Sequence, residues 1–208
     1  MTRGRLEAFS DGVLAVAITL LVLDLHASAD DPTTLGHQLV HEWPSFLAYF
    51  VSFVLIGLIW LNHHSLFDLV AVVDRRTLVY NLVLLLFVTT IPFTTATVAA
   101  FAREGGSSAR IAVLLYGGSM EGMGITFTLI LRHLIDADLL PRKLTRAERR
   151  KVLRRWGVGA LVFPIVTAVG LIYPAAMMVL VLAQSLYYLL DQTPIVEPAT
   201  AEATAPDD

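Results

Sequence analysis

The chain has 208 residues, 56% of them hydrophobic and 16% charged, with a mean hydropathy of +0.68 and a formal net charge of −3. A soluble domain carries about 25% charged residues, so this composition excludes an ordinary water-soluble globule and indicates an all-α integral membrane protein. Cysteine is absent, which excludes disulfides and thiolate metal sites.

The apolar residues fall in blocks close to the roughly 20 residues that a spanning helix needs. The octapeptide RLEAFSDG at residues 5–12 crowds Arg5, Glu7 and Asp11 against the apolar run VLAVAITLLVL. The first span is predicted over residues 8–25. Arg3 and Arg5, the apolar run and Ala27-Ser28-Ala29 have the outline of a secretory signal. Glu7 and Asp11 interrupt its basic region, however, and Asp24 and His26 precede the small residues, so this helix is expected to be retained. The polar stretch HASADDPTTLGHQLVHE follows, with room for a short surface helix. The second span covers residues 46–62, after Trp43-Pro44. The third covers 78–102 and is expected to kink or break near Pro92. The fourth covers 111–135, the fifth 156–173 with Pro164 inside it, and the sixth 175–190. Residues 1–190 thus read as one six-helix transmembrane domain. Residues 191–208 hold five acids, three prolines and no basic residue, and are expected to form a disordered tail.

Lysine and arginine set the orientation. With the amino terminus inside, thirteen of the fifteen fall on the inner side and only Arg103 and Arg110 outside. The reading is a multi-pass protein of the plasma membrane with both termini cytoplasmic. The segment PRKLTRAERRKVLRR is a cytoplasmic topology anchor beside two spans, placed to touch anionic lipid headgroups, rather than a nucleic-acid site.

Val16, Leu20 and Leu23 stand at i, i+4 and i+7 on one face of the first span, with Gly12 a turn earlier and Thr19 alongside. From spacing alone this face reads as an ordinary packing face, which any span could show. Asp24 caps its outer end and Asp11 lies near its inner end; repeated around an axis, such acids would attract cations, but both also suit a water interface. The second span ends in Trp60-Leu61-Asn62-His63-His64. This end is expected beside the start of span one, where Arg5 or Asp11 would meet Trp60 and His63. His63 and His64 have no third ligand at a metal-site spacing, so no metal is expected. Glu121, in YGGSMEGMG, is an acid at membrane depth, hence a functional candidate or simply a partner for a neighbouring helix. Gly118 and Gly122 form a GxxxG pattern that would bring helices close there. Asn81 and the threonines of span three read as structural, the threonines satisfying backbone groups freed by Pro92. There is no GxSxG, HExxH, phosphate-cradling loop or TVGYG filter.

RLEAFSDG resembles the RxxxFSDG signature that opens the first helix in the transmembrane-protein-175 family, and WLNHHSLF at residues 60–67 resembles the family's second signature. The resemblance covers residues 1–190. It implies a potassium-permeable channel, built in prokaryotes as a homotetramer of six-helix subunits whose first helices line the pore. Val16, Leu20 and Leu23 then fall on the family's narrow apolar rings and Thr19 on its pore threonine, with Asp24 at the pore mouth. Arg5, Phe9, Ser10, Asp11 and Gly12 become a buttress for the pore helix, supported by Trp60, His63 and His64. Relatives often carry isoleucine where this chain has Val16, which would widen the innermost ring. The expectation is passive potassium conduction through an apolar constriction, with modest selectivity over sodium, monovalent cations and lipids as partners, no cofactor and no enzymatic activity. The rival readings are a proton-coupled or other secondary transporter using Glu121, Asp11 or His63, and a membrane enzyme or scaffold that conducts nothing.

Overall fold

The computed structural model describes residues 2–27 and 32–190. The expected tail at 191–208 and part of the small-residue stretch at 27–29 lie outside the described residues. The rest is helical. α1 (Arg3–Leu20) is not a uniform helix to residue 25, as the sequence suggested: it tightens into a 3-10 turn over Leu21–Asp24, and Leu25 is already extended. α2 (Leu35–His41) is the short surface helix, capped by Thr34, which accepts from the His37 N–H at 3.4 Å. α3 (Trp43–Asp68) begins with Pro44 in its first turn, where a missing N–H leaves no helical bond unmade. α4 (Arg75–Phe101) is capped by Asp74, and α5 (Gly106–Asp136) is entered through Gly105 and Gly106 at φ +70° and +67°, a region only glycine visits cheaply. α6 (Arg146–Gly170) and α7 (Pro174–Leu190) complete the bundle.

α4, where a kink or a break was expected, runs unbroken through Pro92. Its threonine hydroxyls donate to the carbonyls of Leu86, Phe87, Ile91 and Phe93, none of which is the Val88 carbonyl that Pro92 leaves without its usual donor. The basic segment is no loop: Thr145 and Glu148 form a capping box, with Thr145 Oγ1 accepting from the Glu148 N–H at 3.2 Å, and α6 starts there and continues straight into its apolar half. Among the described residues, four helical segments are long and apolar enough to cross a membrane: Arg3–Asp24, Trp43–Asp68, Arg75–Phe101 and Gly106–Asp136. The apolar stretches Leu161–Gly170 and Pro174–Leu190 are shorter. At 1.5 Å per residue α7 reaches about 25 Å, against roughly 30 Å of hydrocarbon.

Helices α3 to α7 neighbour one another in chain order, and α7 returns to α3, closing a ring; α1 lies in the groove between α3 and α4. The ring is filled by residues such as Ile56, Leu84, Ile91, Met120, Ile130 and Met177. Within it, hydroxyls tie three helices at one level. Ser52 of α3 bonds Thr95 of α4 at 2.8 Å and the Tyr116 hydroxyl of α5 at 3.0 Å, while Thr90 of α4 bonds Ser119 of α5 at 2.8 Å. In hydrocarbon such groups have no water to turn to, so they fix the axial register of the helices.

The close-packing glycines are not the pair the GxxxG pattern suggested. A Cβ on Gly118 would meet nothing within 4 Å. One on Gly117 would lie 2.1 Å from Thr167 Oγ1 of α6, and one on Gly122 would lie 2.3 Å from the Phe87 ring of α4. Gly117→Ala gains up to about 1 kcal/mol of helix propensity. It forces a stiff, β-branched neighbour aside, and overpacking of that kind costs about 1–3 kcal/mol. Gly117→Ala is therefore expected to lower the unfolding temperature in detergent, while Gly118→Ala leaves it unchanged or raises it; the reverse order would contradict this packing.

Asp74 supplies a second test. Burial pushes its carboxyl up, but bonds from the Thr77 N–H and hydroxyl and from His133 outweigh this and hold it at about 2. A depressed carboxyl stabilises the fold above its ordinary range and loses that contribution as pH falls toward the folded value. Between the usual 3.8 and about 2, the wild-type protein should lose stability more steeply with falling pH than Asp74→Asn, as read by thermal unfolding across that window.

Candidate functional site

α1 has two faces. Leu6, Ser10, Leu14, Ala17 and Leu21 recur every three or four residues and are buried against α3 and α4. On the opposite face Phe9, Val16, Leu20 and Leu23 stand 50%, 57%, 43% and 65% exposed, with Arg5, Gly12 and Thr19 exposed among them. Nothing else among the described residues covers this stripe. The 3-10 turn changes its geometry: three residues per turn set Leu23 almost directly above Leu20 rather than to one side. Thr19 Oγ1 approaches the carbonyls of Ala15 at 3.0 Å and Val16 at 2.8 Å. Its proton is thereby turned into the helix, and its lone pairs face outward, available to a cation.

The buried face of α1 is held by a directed chain of hydrogen bonds. Ser10 Oγ donates to the Leu6 carbonyl at 2.9 Å within α1. It accepts from Asn81 Nδ2 of α4 at 2.9 Å, and Asn81 Oδ1 lies 2.8 Å from His63 Nε2 of α3. Asn81 spends its amide N–H on Ser10, so its carbonyl oxygen accepts and His63 Nε2 carries the proton. All three side chains are buried. His63 also stacks on Phe67, with ring centroids 4.3 Å apart, and its Nδ1 is buried with no hydrogen-bond partner among the described residues.

Two further contacts brace the same end. Trp60 Nε1 donates to Asp11 Oδ1 at 3.0 Å. Arg3 pairs with Glu7 at 3.1 Å and reaches across to Asp68 of α3 at 2.5 Å. His64 points away from His63, stacking on Trp60 at 6.2 Å and approaching Asp68 at 3.5 Å, so the adjacent histidines do not converge. Among the described residues no group of three or more His, Asp or Glu is placed to hold a metal.

The structure thus brings together Ser10, Asp11, Trp60 and His63, with His64 at the edge. Of the two partners expected for Trp60, Asp11 meets it and Arg5 is exposed on the open stripe. The rest of the pairing differs from the expectation. His63 meets a carboxamide, not an acid. Asn81, read only as structural, is the hub, and Arg3 and Asp68 form an ion pair that the sequence reading missed. A carboxamide inside a run as apolar as LVYNLVLLL was the available signal for the hub. Asp24 sits partly exposed at the outer end of the stripe, where His26 Nδ1 caps its carbonyl at 3.0 Å. Glu121 is remote from all of this. It shares the face of α5 that carries Gly117 and Gly124 against α6, and its Oε2 is buried with no hydrogen-bond partner among the described residues.

Comparison with known proteins gives three findings. A family model described as the endosomal/lysosomal potassium channel TMEM175 matches residues 5–92, the stretch that holds α1, α3 and the hub of α4. A potassium channel of Streptomyces collinus is 40% identical over 207 residues, covering 98% of each chain. The crystal structure of a lysosomal potassium-selective channel TMEM175 homolog from Chamaesiphon minutus superposes with a TM-score of 0.78 at 32% identity, covering 90% of this chain and 96% of that one.

Asn81→Leu removes the carbonyl that accepts from His63 and leaves a buried N–H unpaired, a loss of about 1–3 kcal/mol. Thr89→Val, whose hydroxyl is exposed and bonds only its own helix, is expected to be near neutral. Thermal unfolding of the two variants side by side checks the hub; equal stability would remove Asn81 from that role.

Proposed function

The chain belongs to the endosomal/lysosomal potassium channel TMEM175 family, and from that premise we propose that it is a potassium-permeable channel in which α1 lines the pore. The observation that carries this is the division of α1. One face is fixed to α3 and α4 by Ser10, Asn81 and His63, and the other presents Phe9, Gly12, Val16, Leu20 and Leu23 with nothing among the described residues to cover them. A lone apolar stripe encloses no axis, so the reading requires symmetric copies, four in this proposal. The bundle spans the plasma membrane six times, α6 and α7 providing the two shorter crossings, with both termini and the basic end of α6 in the cytoplasm.

Conduction in this scheme is passive and uses no cofactor. A potassium ion sheds part of its hydration at the rings of Val16, Leu20 and Leu23. Sodium holds its water more tightly and meets a higher barrier. The apolar rings offer no ligand in exchange, so selectivity is modest, with the outward lone pairs of Thr19 offsetting a little of the loss. Asp24 draws cations to the outer mouth. Ser10 and Asp11 hold the helix, through Asn81 and the Trp60 N–H, while Arg5, Phe9 and Gly12 lie on the open stripe. A proton-coupled transporter is disfavoured on the same grounds: Asp11 and His63 are engaged in structural bonds, and Glu121 alone remains.

The test is flux into liposomes holding the purified protein, under potassium and then sodium gradients. Wild type should pass potassium several-fold faster than sodium. Leu20→Ala and Leu23→Ala should pass both faster and discriminate less. Unchanged flux in both variants would remove α1 from the pore, and absence of flux from folded, oligomeric protein would sink the channel reading itself.

A further inference from the structure

The basic half of α6 is more ordered than a topology signal requires. Several of its cations and their neighbours are already compensated. Arg142 pairs with Glu148 at 2.7 Å, Lys143 with Asp138 at 2.7 Å, and Arg149 with Asp136 at 2.5 Å. Arg146, Arg150 and Arg154 are different. They recur every fourth residue, so they share one face; all three are exposed, and no acidic group among the described residues is recorded against them. Like charges at i, i+4 disfavour a helix. The same face carries Leu161 and Ile165 further along the helix, 70% and 64% exposed. Guanidinium groups at the start of α6 and bare aliphatic side chains in its apolar half therefore share one face.

We propose that this stripe is a binding site for an anionic phospholipid in the leaflet at the basic end of the bundle. The charges lie where a headgroup lies. At 1.5 Å per residue the three arginines span about 12 Å of the helix axis, and Arg154 stands about 3 Å before the apolar run that opens at residue 156. The surface field of an anionic leaflet fades within about 8–10 Å, which puts Arg154 and Arg150 inside it and leaves Arg146, about 15 Å from residue 156, beyond it. A guanidinium grips a phosphate through two parallel N–H donors. The exposed Leu161 and Ile165 extend in the direction the acyl chains run. A soluble phosphate would use the arginines and leave that apolar continuation unexplained. The site stands whether or not the protein conducts.

The experiment uses the full chain in vesicles of phosphatidylcholine with and without phosphatidylglycerol, followed by native mass spectrometry of the lipid retained. Each arginine near the surface favours an anionic over a zwitterionic headgroup about fivefold. Arg146→Gln/Arg150→Gln/Arg154→Gln should therefore lose about 25-fold of the preference for phosphatidylglycerol, and Arg150→Gln alone about fivefold. Arg75→Gln/Arg76→Gln, an exposed pair at the same end of the bundle on α4, should keep it. No preference in wild type, or an equal loss in the α4 variant, overturns the site in favour of undirected surface charge. The chain's own acidic residues 191–208 are the competing occupant. Were they seated on the stripe, neutralising their five acids would strengthen lipid retention severalfold, and that result would also overturn the proposal.

Discussion

The arrangement depends on one chain of hydrogen bonds closed where water is scarce. Ser10, Asn81 and His63 come from three different helices, and each satisfies a group the others leave open. In water such bonds would exchange with solvent at little cost. In a bilayer interior an unpaired donor costs several kcal/mol, so the three helices adopt one relative height and one rotation. The rotation matters most. A helix whose apolar residues all suit lipid has little hydrophobic reason to prefer one face inward, and hydrogen bonds supply the preference.

That constraint orders the rest of α1. Once Ser10 is inward, Leu6, Leu14, Ala17 and Leu21 follow it inward by helical period, and Phe9, Val16, Leu20 and Leu23 must face out. The charges at the mouth of the helix belong to the same device. Asp11 takes the Trp60 N–H, and Arg3 bridges Glu7 to Asp68, so the acids beside the open stripe are bonded to neighbours rather than left to the solvent. The second polar layer, Ser52 with Thr95 and Tyr116, repeats the principle among α3, α4 and α5. Two hydroxyl and amide layers with apolar packing between them set the register of a bundle whose remaining contacts are nearly interchangeable.

Much of this was legible in the sequence. The spans fell close to their places, and the stripe of Val16, Leu20 and Leu23 and the meeting of Trp60 with Asp11 follow from helical period and topology. The misses have physical causes. Asn81 could not be recognised as the hub because one sequence carries no pairing information, only a polar residue in an apolar run. The GxxxG pattern chose Gly118 and Gly122, yet successive residues on a helix point 100° apart, and only packing selects Gly117 over Gly118. Pro92 was expected to kink or break its helix; in a bilayer the surviving backbone bonds have no solvent competitor, and the helix is not broken. Thr145-Arg146-Ala147-Glu148 is a capping box that reading the segment only as a topology anchor passed over.

The 3-10 turn at Leu21–Asp24 has a mechanical consequence. Each 3-10 residue rises about 2.0 Å and turns 120°, against 1.5 Å and 100° in an α-helix. Relaxing those four residues to α geometry would shorten the segment by about 2 Å and swing Leu23 through about 60° relative to Leu20. The leucine at the outer end of the stripe is thus mounted on a short screw. Winding that screw would change the bore presented by Leu23 while Ser10, Asn81 and His63, more than two helical turns away, stayed bonded as they are.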